Sequence, residues 1–113
     1  MNWFKTFPAD VYTSSNFVKL VVINNKKICV VKVDHEFFAI QNKCPHAGAS
    51  LSSGICINKK IVCPYHRFEY DLETGRGSPG QNDYIDTFPV ENRADGLYIG
   101  IKEQFSFFKN IFG

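Results

Sequence analysis

The residues of this chain that could do chemistry stand in two short clusters, Cys44-Pro45-His46 and Cys63-Pro64-Tyr65-His66, with residues 47–62 between them. Thiolate and imidazole are strong ligands for transition metals. Two of each could close a tetrahedral zinc site, although the usual zinc spacing places the cysteines together and the histidines further along. Here each cluster is mixed. A dinuclear iron–sulfur centre in which two histidines replace two cysteines on one iron fits that mixture better, because each loop can then give a thiolate to one iron and an imidazole to the other. The pattern alone leaves zinc open.

Loops that hold a metal need a scaffold, and the chain supplies strands. FVKLVVI, ICVVKV and EFFAIQ are runs rich in Val, Ile and Phe, broken at Asn24–Lys27 and at Asp34-His35, which predicts antiparallel hairpins. GICI and KIVC flank Asn58-Lys59, and EYDL follows the second cluster and closes at Thr74-Gly75. YIDTFPVENR and LYIGIK, either side of Ala94-Asp95-Gly96, predict a last hairpin. Each Cys/His cluster therefore falls where strands end. Residues 76–83, RGSPGQND, read as an irregular surface loop. Helical spacing is confined to the tail QFSFFKNIFG, where Phe105, Phe108 and Phe112 recur. The class predicted is all-β.

The 113 residues are near the usual size of one domain and too few for two independent cores. Residues 1–113 are thus read as one domain, with a metal-binding part over about 42–72, a base formed by the remainder, and an aromatic tail at 104–113 that packs on its own domain. Hydrophobic residues make up 44% and aromatic residues 15% of the chain, a composition that carries no signature of disorder and predicts a globular protein. The net charge of +2 is small, and Lys26-Lys27 and Lys59-Lys60 read as solvated turn residues, so no nucleic-acid partner is expected. The N-terminus lacks the pattern of a signal peptide and no apolar run reaches membrane-spanning length, which predicts a cytoplasmic protein with no membrane partner. Cys29 and Cys56 lie among apolar strand residues and read as small buried hydrophobes. His35 is expected in an exposed turn with no metal role, and Trp3, Phe4 and Phe7 as core residues.

The motifs C-P-H-A-G-x-x-L-x-x-G at residues 44–54, C-P-x-H at 63–66 and Y-D-x-x-T-G at 70–75 resemble the Rieske iron–sulfur family, and the resemblance extends over essentially the whole chain. It implies a Rieske fold, an antiparallel β-sandwich or barrel-like base carrying a small two-loop cluster-binding subdomain. It implies one [2Fe-2S] cluster per chain, with Cys44 and Cys63 on the inner iron and His46 and His66 on the outer iron. Replacing two thiolates by neutral imidazoles makes an added electron easier to accept, which raises the potential into a range of roughly −150 to +300 mV. Members at the upper end carry a disulfide between the loops and a serine hydroxyl aimed at a bridging sulfide. Ala49, Tyr65 and Phe68 stand at the matching positions here, and they imply the lower end. Tyr70 points the other way: if its hydroxyl reaches Cys44, the potential rises and Tyr70→Phe lowers it. Pro45 and Pro64 fix the backbone after each cysteine, Gly48 permits unusual φ and close approach, and Pro79 resembles the proline of a third loop that covers the cluster.

The function implied is a soluble Rieske ferredoxin, similar to the ferredoxin components of bacterial aromatic-ring dioxygenase systems. Such a chain carries single electrons from an NAD(P)H-dependent flavin reductase to a terminal oxygenase or similar enzyme, and is not catalytic alone. Docking is expected to be transient, by a monomer, at a tip centred on His46 and His66 with Lys43, Pro45, Pro64, Tyr65 and Arg67 around it. The other readings are a Rieske small subunit of a larger oxidoreductase, as in nitrite reductase, a redox or iron sensor, and a structural Cys2His2 zinc module.

Overall fold

The structure, a computed structural model, describes residues 1–46, 48–65 and 67–102. In chain order its strands are β1 (Asn2–Pro8), β2 (Phe17–Ile23), β3 (Lys26–Val33), β4 (Glu36–Gln41), β5 (Ile55–Ile57), β6 (Lys60–Val62), β7 (Glu69–Asp71), β8 (Thr87–Phe88), β9 (Val90–Arg93) and β10 (Gly96–Ile101). They form three antiparallel sheets, ordered β1-β10-β9, β2-β3-β4-β8 and β5-β6-β7. The all-β expectation holds, and the two short helices described are 3-10 turns at Ala9–Thr13 and Leu51–Ser53. No helix among the described residues is long and apolar enough to cross a membrane.

The β2–β3, β3–β4 and β5–β6 hairpins close on two-residue turns with both central residues at positive φ: Asn24 and Asn25 (52° and 65°), Asp34 and His35 (50° and 67°), and Asn58 and Lys59 (51° and 59°). Turns of this hand match the twist of the flanking strands, and Asn and Asp tolerate them best. Lys26 and Lys27 accordingly start β3, whereas the sequence placed them in the turn, and Lys60 starts β6, as the run KIVC predicted. His35 is exposed, as expected.

β3 and β4 read as near-continuous apolar runs because both of their faces are covered. Ile28, Val30, Phe37 and Ala39 point into one core with Val11, Leu97 and Ile99. The alternate residues Cys29, Val31 and Ile40 point into a second core with Cys44, Leu51, Ile61, Cys63, Tyr70 and Leu72. One two-stranded wall thus serves the base on one side and the metal-binding part on the other.

Two features were not legible in advance. The N-terminal segment is a strand, β1, paired with β10 from Asn2↔Ile101 to Pro8↔Gly96. YIDTFPVENR, expected as one strand, is divided. Thr87 and Phe88 pair with Ile40 and Ala39, and after Pro89 the chain crosses to pair with β10. Proline cannot donate to a ladder, but the Pro89 carbonyl accepts from the Gly100 N–H at 2.9 Å.

The 3-10 turn after β1 is tied down by two side chains. Lys32 is 2% exposed, and its ammonium donates to the Val11 and Tyr12 carbonyls at 3.1 and 3.2 Å and to the Ser14 carbonyl. The Tyr12 hydroxyl lies 2.8 and 2.7 Å from the carbonyl oxygens of Arg93 and Gly96. A buried cation is tolerable only with such partners. The aromatic tail read from the sequence at 104–113 lies outside the described residues.

Candidate metal centre

Two loops of the same construction carry the cysteines. The first leaves β4 and the second joins β6 to β7. In each, the cysteine N–H reaches the carbonyl five residues on: Cys44 to Ala49 at 2.9 Å and Cys63 to Phe68 at 2.7 Å. In each, the residue before that carbonyl has left-handed φ, Gly48 at 67° and Arg67 at 56°. The doubled Cys-Pro signal therefore corresponds to a doubled backbone shape. At Gly48 the demand comes from φ, since an added Cβ would make only an ordinary 3.6 Å contact with Lys43 Cε. The close approach expected at Gly48 is absent among the described residues. Asn42 holds the first loop shut: its carbonyl accepts from Leu51 N–H at 2.6 Å, its amide donates to Ser50 Oγ at 2.8 Å, and its Oδ1 accepts from Ser52 N–H at 3.0 Å.

The loops bring Cys44 and Cys63 together in the core, 0% and 1% exposed, with their thiols within hydrogen-bonding reach of one another. Burial pushes the Cys63 thiol up, the Tyr65 backbone N–H directed at its sulfur pulls it down, and neighbouring Cys44 pushes it up again. No disulfide joins the four cysteines. Above the buried sulfurs Pro45, His46, Pro64, Tyr65 and Arg67 are exposed. The His46 ring stacks on Phe68, centroids 4.3 Å apart and planes 17° from parallel, so Phe68 supplies a face for the imidazole. His66 lies outside the described residues.

The third loop supplies a residue that sequence reasoning missed. Residues 76–84 are fastened to β7 by Gln81, which accepts from Glu69 N–H at 3.0 Å and donates to the Glu69 carbonyl at 3.2 Å. This places Asp83 Oδ2 at 2.8 Å from His46 Nε2 and at 2.7 Å from the Tyr70 hydroxyl. Gln81 Nε2 donates to the other carboxylate oxygen at 3.2 Å. Partial burial pushes the Asp83 carboxyl up, but the Tyr70 and Gln81 hydrogen bonds and the adjacent His46 outweigh it and hold the group below the usual carboxylate range. Tyr70 is fully buried. Burial, then the hydrogen bond to Asp83, and then Cys44 raise its hydroxyl well above the ordinary tyrosine range. Its oxygen is 3.7 Å from Cys44 Sγ, so the expected approach to Cys44 exists but competes with a shorter, charge-assisted one. Pro79 is exposed on the same loop.

Tested on this chemistry, the residues fit a dinuclear cluster. His46 must present Nε2–H to a carboxylate oxygen at 2.8 Å, which leaves Nδ1 as the nitrogen able to bind a metal. Among the described residues no three Cys, His, Asp or Glu side chains surround a single-ion position. A dinuclear group does not require one, because its thiolates and imidazoles sit on different metal atoms. Cys29 is fully buried and Cys56 partly so, both on strands and packed in the second core as small hydrophobes.

Comparison with known proteins agrees with this geometry. The family model described as a Rieske [2Fe-2S] domain matches residues 2–89. The ferredoxin component of the naphthalene 1,2-dioxygenase/salicylate 5-hydroxylase systems of Ralstonia sp is 33% identical over 92 residues, covering 80% of this chain and 86% of that protein. Among solved structures, a chain in the complex of reduced oxygenase and oxidised ferredoxin of carbazole 1,9a-dioxygenase matches with a TM-score of 0.76 at 25% identity, over 87% of this chain and 92% of that one. The ferredoxin of carbazole 1,9a-dioxygenase from Nocardioides aromaticivorans IC177 shares the fold, with a TM-score of 0.80 at 20% identity over 90% of this chain and all of that one (100%).

Proposed function

The chain belongs to the Rieske [2Fe-2S] domain family, and on that premise we propose that it is a one-electron carrier to a terminal oxygenase, with Cys44, His46, Cys63 and His66 holding its cluster. Cys44 and Cys63 take the inner iron, His46 and His66 the outer one. The cluster, when bound, supplies a one-electron couple at a potential above that of all-thiolate centres.

The observation that carries the reading is the gradient across the two loops: paired sulfurs closed off in the core, and an imidazole at the surface directly above them. A buried thiolate pair keeps water from the cluster, and an exposed imidazole shortens the path to a docked protein. Pro45, Pro64 and Tyr65 form an apolar rim around that exit, while Lys43 and Arg67 add positive charge. Phe68 orients the His46 ring from below. The names of the relatives support an oxygenase as acceptor. The donor we assign is an NAD(P)H-dependent flavin reductase that docks at the same tip in turn, and the carrier works as a monomer.

The test is purification without oxygen, assay of iron and acid-labile sulfide, and a redox titration followed by EPR. The expected result is about two irons and two sulfides per chain and a reduced-state spectrum whose mean g value lies below that of an all-thiolate cluster. A colourless, redox-silent protein holding zinc would overturn the reading.

A further inference from the structure

Asp83 has no counterpart in the ligand pattern, yet one of its oxygens lies within hydrogen-bond distance of both His46 and Tyr70. We infer that Asp83 is a positioning residue that holds the reduction potential down, by binding the Nε2–H of His46 and by drawing the single Tyr70 hydroxyl hydrogen away from Cys44. The inference rests on the proposal that His46 and Cys44 are cluster ligands.

Three physical effects act in the same direction. A carboxylate accepting from the far nitrogen of a metal-bound imidazole makes that imidazole a stronger donor, which favours the more highly charged, oxidised metal. The negative charge itself, in a carboxylate only 14% exposed, opposes the arrival of an electron. The third effect comes from hydrogen-bond arithmetic. A tyrosine has one hydroxyl hydrogen, and at 2.7 Å from Asp83 Oδ2 against 3.7 Å from Cys44 Sγ it points to the carboxylate. A donor that could stabilise added charge on the sulfur is thereby diverted. Gln81 fixes the arrangement, because its amide binds the second Asp83 oxygen and the backbone of β7 together. An alanine Cβ at Gly77 would come within 2.4 Å of Asp83 Oδ1, so the loop backbone also leaves room for the carboxylate.

The experiment is a midpoint titration of the holoprotein at one pH and ionic strength, with iron and sulfide assayed in every sample. The samples are wild type, Asp83→Ala, Asp83→Asn, Tyr70→Phe and the Asp83→Ala/Tyr70→Phe double variant. Asp83→Ala is expected to raise the equilibrium constant for reduction about tenfold, ~59 mV for a one-electron couple. Asp83→Asn, which keeps an acceptor without the charge, should fall between it and wild type. Tyr70→Phe should change little in the wild-type background and lower the midpoint in the Asp83→Ala background, where the hydroxyl is released to Cys44. A wild type without iron and sulfide overturns the ligand assignment and this inference together. A wild type with its cluster and an Asp83→Ala or Asp83→Asn protein of unchanged midpoint overturns the inference alone. So does a large fall on Tyr70→Phe in the wild-type background, a readout that stands even where the Asp83 variants do not fold.

Discussion

Cys29 and Cys63 are both buried thiols on the same side of the β3–β4 wall, and their surroundings give them different chemistry. Cys63 receives a backbone N–H and faces a second thiol. Cys29 is packed among apolar strand residues, and burial, with a smaller contribution from Cys56, pushes it up to about 12. Cys63→Ser should therefore abolish iron retention, while Cys29→Ala should leave the iron and sulfide content unchanged, as metal analysis will show. The same contrast has a pH consequence. A thiol whose folded value lies above its unfolded value of 9.0 contributes stability that is complete below 9.0 and is lost as pH rises toward the folded value. At ~1.36 kcal/mol per unit, wild type should lose about 2 kcal/mol by about pH 10.5 that Cys29→Ala does not lose. Anaerobic urea melts of both proteins at neutral and alkaline pH measure that difference. The distinction between the two cysteines was legible in the sequence, because each one's chemistry follows from near neighbours in the chain. Asp83 was not, since it meets His46 and Tyr70 only through a loop whose path depends on Gln81 finding the backbone of β7.

At the scale of elements, both loops depend on backbone shapes that few residues allow. Gly48 sits at φ 67°, and an added Cβ would make only an ordinary 3.6 Å contact with Lys43 Cε, so Gly48→Ala should cost only the left-handed penalty of about 1–2 kcal/mol. At Gly54 an added Cβ would stand 2.1 Å from the Val62 carbonyl oxygen, and neither backbone can yield without opening the β5–β6 pair that leads to Cys63. Gly54→Ala should thus release iron far faster than Gly48→Ala, a difference that bleaching of the visible absorbance in the presence of a chelator will resolve. Tyr12→Phe offers a control in the base. It removes a hydroxyl shared between two carbonyls and should lower stability by about 1 kcal/mol without altering iron retention. The hairpins were readable because Asn and Asp mark their two-residue turns. β1 was not, because it is defined by pairing with β10 at the far end of the chain, and the division at Pro89 depends on which of two sheets each half meets.

In the whole molecule the packed cores and the exposed side chains of the site are separated. β3 and β4 serve both cores, and the loops project from one side of this shared wall, with His46, Lys43 and Arg67 facing outward. A carrier that must dock, pass one electron and leave is served by a small contact whose charges govern encounter more than final affinity. On the proposal that docking takes place at the two loops, their positive side chains call for an acidic face on the oxygenase. Lys43→Glu and Arg67→Glu should each slow electron delivery to that enzyme about tenfold at low ionic strength, within the range that steering supplies. The difference should shrink as salt screens the charges over a Debye length of about 10 Å at 0.1 M and about 3 Å at 1 M. Lys5→Glu, on β1 in the β1-β10-β9 sheet and paired with Asp95 at 3.6 Å, reverses the same charge and should leave the rate unchanged. Stopped-flow oxidation of the reduced carrier by the oxygenase, over a salt series, reads all three. Equal slowing by Lys5→Glu would show that net charge governs the encounter, and equal rates for all variants would place the docking surface away from the two loops.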